Sequence, residues 1–330
     1  MEKKFDVIGI ENLIMDFALQ INKLPKTDGF ALLKDFCWQS GGNAASAIVA
    51  LARLGASCGM VGTTGTDPFG RFCLEDMQRH NVDTSHIKTI PGETTFCICL
   101  AEEETQGRSF LGKMGARGSM TAEEVDEQYI AQAKAIHLSC IPSAATTYAV
   151  EFARKNDVLI SLDAGANMFE GAVALAKSVD ILIMSEAFYN SMFDNEDYCE
   201  NCQSLLAEGP KVVIVTLGKK GCAGADANGT FTLDSFNKGY QIVDTTGAGD
   251  VFHGGFLYAY LNRYQKAPYH YTVEDCARFA SAVSYINCNT LGGRTGIPSL
   301  YMVDKFLEEG IIDKTEILPR QEYYKYAMFK

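Results

Sequence analysis

The sequence predicts an α/β fold in which a mostly parallel sheet is covered by helices on both faces. Three observations carry that reading. Short, continuously apolar runs such as residues 180–185 and 211–218 read as strands buried on both faces. Segments of helical periodicity alternate with them from about residue 135 onward, as parallel crossovers require. The 330 residues, 47% hydrophobic and 21% charged, can bury such a sheet as an ordinary globular protein.

The elements follow in order. Residues 5–10 (FDVIGI) are a short apolar run, a buried first strand. Residues 44–54 are rich in alanine, with Ile48, Leu51 and Leu54 at helical spacing and Gly55 as a stop. Residues 58–62 form a second strand and 71–80 a helix ending at Asn81. Residues 95–101 are β-like, and Gly107 opens a turn into another strand. Then come strand 135–139, helix 144–155, strand 158–163, helix 171–178, strand 180–185 and strand 211–218. Two stretches, about 13–36 and about 92–117, are β-like and turn-rich with no helix between their short runs. Together they predict a small sheet projecting from the main one. Alternation at Phe96, Cys97, Ile98, Cys99 and Leu100 leaves one face apolar, to be covered by substrate or by a second subunit. No internal repeat or linker interrupts the chain, so residues 1–330 read as one domain.

Composition narrows the function. The net charge is -12 with no basic run, which argues against nucleic acid or anionic membrane as a partner. No stretch reaches the length of a membrane span, and the N-terminal apolar run is too short and too soon acidic for a secretion signal. The 11 cysteines sit mostly in apolar segments, as reduced thiols of a cytoplasmic protein do. Cys199 and Cys202 form the one CxxC; with no second pair and no nearby histidine they read as helical thiols, not a zinc site.

The run Asp244-Thr245-Thr246-Gly247-Ala248-Gly249-Asp250 carries the most chemistry. It reads as a turn feeding a helix. Gly247 and Gly249 allow a tight bend, and the amides of Gly247, Ala248 and Gly249 then point outward at a helix start, where an anion is favoured. Asp250 in the first turn is a candidate general base. Cradle and base together are what phosphoryl transfer to a hydroxyl needs, since that reaction depends on positioning and charge neutralisation. By itself such a run is more often a plain loop before a helix, with the aspartate merely favouring the dipole. Its neighbours along the chain decide.

Four segments, in order, resemble the ribokinase-like (PfkB) family of carbohydrate and nucleoside kinases. Residues 9–16 (GIENLIMD) resemble a first-strand motif ending in a substrate-binding aspartate. Gly41-Gly42-Asn43-Ala44, running to Arg53-Leu54-Gly55, resembles the first family signature, and residues 61–70 (VGTTGTDPFG) the following strand and turn. Residues 244–250 resemble the second signature. The resemblance covers about residues 5–298. It implies a three-layer αβα sandwich with a mostly parallel central sheet and a small projecting β-sheet lid.

The resemblance also implies roles. Asp250 would take the proton of the acceptor hydroxyl, and the amides of Gly247, Ala248 and Gly249 would hold the transferred phosphoryl group. Asp16, Asn12 and the Gly41-Gly42-Asn43 turn would hold the acceptor, with Arg108 reaching it from the lid. Thr216, Gly218, Gly221, Ser185 and Ser281 would border ATP, which arrives with Mg²⁺. The carbonyls of Asp244 and Thr246, beside Gly292-Gly293, would hold a monovalent cation such as K⁺. The lid would exclude water and form a homodimer interface.

Departures from the pattern qualify the reading. Where many members carry Asn-x-x-Glu, this chain has Ser185-Glu186-Ala187-Phe188, with Glu186 as the carboxylate that could compensate. Ser46 stands where ribose-specific members place Asn, which argues against strict ribose specificity. Arg294 could meet a phosphate or pair with a surface carboxylate. His253 reads as a packing or hydrogen-bonding residue, His137 as a core histidine, and Asp163 as a group behind the phosphates. Lys219 and Lys220 read as a solvated turn, and Tyr323, Tyr324, Tyr326 and Phe329 as an aromatic tail packed on the domain or a partner. The expected activity is ATP-dependent phosphorylation of a primary hydroxyl on a small carbohydrate, a ketose favoured. The alternatives are an adenosine-like nucleoside kinase, with Phe17, Phe30 or Trp38 stacking the base, and a non-catalytic sugar-binding or regulatory protein.

Overall fold

The computed structural model describes residues 3–105, 107–115, 120–165 and 169–329. Alternation along the first strand explains the layers. In β1 (Phe5–Ile10), Val7 enters one hydrophobic core and Ile8 the other, so the strand is apolar on both faces. β8 (Ala133–Ser139) and β9 (Leu159–Ala164) are apolar toward the second core but carry His137, Ser139, Ser161 and Asp163 on the other face, while β10 (Ile181–Ser185) and β11 (Val212–Thr216) are again apolar on both faces. With β4 (Cys58–Gly65), β5 (Asp83–Ile90), β12 (Cys222–Asp226) and β13 (Gly229–Leu233) they make a nine-stranded sheet. Its order is β13-β12-β11-β10-β9-β8-β1-β4-β5, parallel except where β12 pairs antiparallel with β11 and β13.

One core lies under α1 (Asn43–Arg53), α2 (Pro68–Arg79), α8 (Ala248–Asn262), α9 (Val273–Asn287), α10 (Leu300–Glu309) and α11 (Ile317–Tyr326). The other lies under α4 (Ala144–Lys155), α7 (Tyr198–Leu206) and the short helices α3 (Glu127–Ile130), α5 (Ala172–Ala176) and α6 (Glu186–Asn190). This is the expected three-layer sandwich. At Gly254 a Cβ would stand 2.5 Å from the Ala47 carbonyl of α1, and at Gly255 3.0 Å from Ala280 of α9, so two adjacent glycines let α8 pack closely between them. Among the described residues no helix is long and apolar enough to cross a membrane.

A second sheet, β3-β2-β6-β7, projects from the first. It comprises β2 (Ile14–Ile21), β3 (Leu33–Gly41), β6 (Thr95–Glu102) and β7 (Arg108–Lys113). It is mixed, because β2 pairs parallel with β6 while both hairpins are antiparallel. Its strands run over 14–21, 33–41, 95–102 and 108–113, so β3 extends beyond the expected segment 13–36 to Gly41. Gln106, Ala116 and Arg117, within the expected segment, lie outside the described residues.

Candidate active site

The site gathers at the carboxyl ends of the parallel strands, where the fold leaves a crevice. The glycine turn is built there as the sequence suggests. Gly247 caps α8 at φ +73°, a left-handed conformation that glycine alone adopts freely. A Cβ on it would lie 2.6 Å from the Gly293 Cα. The loop is tied from behind: the buried Asp244 carboxylate accepts from the Thr246 amide at 2.8 Å and the Gly292 amide at 2.9 Å. Gly249 differs, since a Cβ there would meet nothing within 4 Å. This leaves an open hollow at the helix N-terminus, where the backbone amides and the dipole favour an anion.

Asp250 sits half-buried beside that hollow. Burial, then the nearby Asp163, Glu11 and Asp16 carboxylates, push its carboxyl well above the usual range, while the Arg108 guanidinium opposes them. The same burial and like charges make it a stronger base than an exposed aspartate, as general-base work requires.

The opposite wall comes from the lid and the first crossover. Asp16 of β2 stands against Gly41 so closely that a Cβ on Gly41 would lie 2.1 Å from its Oδ2. Burial pushes the Asp16 carboxyl up to about 8. Gly42 takes φ +95° at the start of α1, and a Cβ there would crowd the Glu11 carboxylate at 2.6 Å. Asn43 opens α1, and its side chain hydrogen-bonds Asp163 at the end of β9. The Asn12 Oδ1 accepts from the Thr63 amide at 3.1 Å and its hydroxyl at 2.7 Å, so that end of Asn12 positions β4. From β7, Arg108 donates to the Thr245 carbonyl of the glycine turn, bringing the lid down onto the phosphate side. Phe110, two residues on, shares that strand face and is exposed.

Two groups escaped sequence reasoning. Glu11 follows β1 at the ligand end of the sheet; it accepts from the Ser139 hydroxyl and, at 3.2 Å, from the Ala45 amide. Its burial raises it to about 7. Its position just past a strand end was the available signal. The second is the depth of the polar layer. His253 Nε2 lies 3.2 Å from Asp163, and His137 Nδ1 3.1 Å from the Ser161 hydroxyl. Burial alone would raise Asp163, but His253 and Asn43 hold it below its ordinary value. The expected hydrogen-bonding role of His253 and core role of His137 agree with these contacts.

Arg294 requires a correction. It meets neither phosphate nor surface carboxylate. Fully buried, it pairs with the buried Asp76 at 2.9 Å and donates to the Gly41 carbonyl at 3.0 Å and to Ser46 at 3.2 Å. An unpaired arginine could not stay there, because the interior does not tolerate a lone charge. Its effect on the site is to hold the Gly41 turn from behind. Ser46 is thereby one of its partners.

Ser185 and Thr216 lie side by side at the ends of β10 and β11. Thr216 donates to the Met184 carbonyl at 3.3 Å. The loop beyond β11 turns at Gly218 (φ +57°) and Gly221 (φ +99°). The Ser281 hydroxyl of α9 donates to the Ala277 carbonyl at 2.9 Å and lies against Cys222, just past that loop. One turn further along α9, Ser284 donates to the Ala248 carbonyl at 2.8 Å. α9 thus connects the end of the β11 loop to the glycine turn. The Ser185 hydroxyl accepts from the Phe188 amide at 3.1 Å as a helix cap, and Phe188 is fully buried. Glu186 is bound to Lys220 at 3.0 Å and to the Tyr198 hydroxyl at 2.9 Å. Lys220 is therefore a paired residue, not a merely solvated one.

Comparison with known proteins agrees with this geometry. The pfkB family of carbohydrate kinases matches residues 3–300. The chain is 26% identical to an ATP-dependent ribose-1-phosphate kinase of Halopiger xanaduensis, over 92% of this chain and 98% of that one. It is 25% identical to a 5-dehydro-2-deoxygluconokinase of Clostridium botulinum, over 93% and 94%. Arabidopsis thaliana ribokinase complexed with ribose and ATP shares the fold at a TM-score of 0.75 and 22% identity, covering 93% of this chain and 99% of that one. Adenosine kinase from Sinorhizobium meliloti shares it at 0.75 and 21%, covering 92% and 99%. The chain belongs to the pfkB family of carbohydrate kinases, phosphotransferases with an alcohol group as acceptor.

Proposed function

We propose that the protein transfers the γ-phosphoryl group of ATP to a primary hydroxyl of a small carbohydrate, a ketose or related sugar. The observation that carries this reading is Asp250 beside the open amide hollow at Gly249, with Asp16 and the Gly41-Gly42 turn across from it. Asp250 takes the hydroxyl proton. The amides of Gly247, Ala248 and Gly249 neutralise charge on the phosphoryl group as it moves. Asp16, Asn43 and the Gly41-Gly42 backbone accept and donate to the sugar hydroxyls. Thr216, Gly218, Gly221, Ser185 and Ser281 border the nucleotide. Arg108 closes the lid against water.

Mg²⁺ screens the phosphate charges when it accompanies ATP. The 185–188 stretch does not fit a protein-held ion, since its one carboxylate is engaged by Lys220 and Tyr198 and Phe188 is core. A monovalent cation such as K⁺ fits better. In the Asp244–Gly247 turn the buried Thr246 Oγ1 has no partner among the described residues, nor has the Oδ1 of Asn287, whose amide donates to the Gly293 carbonyl behind Gly247. An ion there would add positive charge behind the glycine turn.

A carbohydrate is favoured over a nucleoside because the expected stacking residues turn away. Phe17 and Trp38 lie on the strand face opposite Asp16, packed edge-on with each other, and Phe17 also meets Phe69 and Phe96. Phe30 is exposed in the β2–β3 turn. Phe110, exposed on the lid face that carries Asp16, is the aromatic that a nucleoside reading would use instead. A coupled ADP-release screen over ribose, fructose, keto-deoxy sugar acids and adenosine tests the assignment. Sugar-dependent ADP release supports it; release with adenosine alone would transfer it to the nucleoside reading. Eleven free cysteines suit a reducing cytoplasm, and the apolar lid tip suits a homodimer.

A further inference from the structure

β6 carries Cys97 and Cys99 two residues apart, so both thiols rise from one face of the lid. The register sets Asp16 of β2 beside Cys97 and Ala18 beside Cys99. The two sulfurs are 3.9 Å apart. One carboxylate oxygen of Asp16 and both sulfurs lie within 4.8 Å of one another. Two thiolates at about 2.3 Å from a tetrahedral zinc ion stand about 3.8 Å apart. The thiols therefore already have the spacing a metal imposes.

A disulfide suits the pair less well. Alternate residues of a strand hold their Cα atoms about 6.6–6.8 Å apart, the upper limit of what a disulfide spans. The Cys99 thiol donates to the Cys97 sulfur, which favours a thiolate at Cys97 and disfavours one at Cys99. Cys97 and Asp16 are half-buried and Cys99 buried, which leaves the cluster open toward the cleft. Thiolates prefer Zn²⁺ or Cd²⁺ to Mg²⁺, so the nucleotide's own cation would not fill it.

We propose that Asp16, Cys97 and Cys99 form a binding site for a soft divalent cation such as Zn²⁺, and that an ion held there competes with the acceptor for Asp16. Binding requires both thiols and the Asp16 carboxyl to be deprotonated and releases whatever protons they carry, and three protein ligands leave a fourth position for water. The competition, unlike the binding, rests on the reading of Asp16 as an acceptor ligand.

The full chain, reduced and with Mg²⁺ present, is titrated with Cd²⁺ while the ultraviolet thiolate-to-metal absorption is followed. One equivalent of signal is expected in wild type and in Cys199→Ser/Cys202→Ser, and loss of that equivalent in Cys97→Ser/Cys99→Ser. Cys97→Ala repeats the test should the double variant fail to fold, with the affinity falling at least about tenfold for a lost ligand. Signal retained in both lid variants would overturn the site. Kinetics then separate the two halves: Zn²⁺ is expected to raise the KM for acceptor and not that for ATP, in wild type but not in the lid variants. Binding at the lid cysteines with inhibition indifferent to acceptor would leave the site standing and overturn the role of Asp16.

Discussion

The two flanking glycines of the anion hollow differ in what they do. Gly247 is required by the backbone, at φ +73° and against Gly293. Gly249 is not, because its missing side chain faces open space. Gly249→Ala is therefore expected to keep or slightly raise the melting temperature, as alanine for glycine does in a helix, while the rate falls about 10²–10³-fold. Gly247→Ala is expected to lose both rate and about 1–2 kcal/mol or more of stability. Calorimetry beside steady-state kinetics distinguishes them, and equal behaviour of the two variants would refute the distinction. Arg108 sets a second expectation. It lowers the Asp250 carboxyl, so Arg108→Met should raise it and move the acid limb of kcat/KM to higher pH. An unmoved limb would separate Arg108 from Asp250. The glycine turn and Asp250 were legible because their chemistry is local in sequence. Glu11 with Ser139 and Asp163 with His253 were not, because strand order alone brings them together.

Elements far apart in sequence hold the acceptor turn. The Arg294–Asp76 pair joins the loop after α9 to α2, and Tyr324 of α11 donates to Asp76 at 2.8 Å. His80 adds a 3.1 Å contact to the same hydroxyl. Tyr323 and Tyr324 of the aromatic tail thus pack on their own domain, Tyr324 sealing a buried ion pair beneath Gly41; Tyr326 is exposed and the Phe329 side chain lies outside the described residues. Arg294→Met should cost about 3–5 kcal/mol, since it strands the Asp76 carboxylate, and Tyr324→Phe about 1–2 kcal/mol. Chemical denaturation measures both; a loss for Arg294→Met smaller than for Tyr324→Phe would contradict this order. Composition also hid whole strands. β5 (DTSHIKTI) is polar because it is an edge strand, and β12 (CAGAD) is made of small residues with no apolar run. β10 and β11 needed no such context, being short runs that are apolar on both sides.

The lid and the sandwich act together. Arg108 links them across the cleft, and the lid exposes Phe30, Leu32 and Leu33 at the outer end of its β3 edge and Leu111 and Met114 along its β7 edge. Exposed apolar side chains on an edge strand suit the proposed homodimer. Sedimentation should find a dimer that Leu111→Glu dissociates; a monomeric wild type would reject that interface. The buried carboxylates also give the fold a pH dependence. A raised Glu11 binds its proton more tightly folded than unfolded, so the stability it contributes is full below about 4.5 and is lost as pH rises toward about 7. Glu11→Gln should flatten the melting temperature over that window. The most direct test of the phosphoryl-transfer reading is Asp250→Ala, with ATP affinity by calorimetry and turnover by ADP release. ATP binding should persist while turnover falls about 10²–10⁴-fold; turnover within about threefold of wild type would contradict a general base at Asp250.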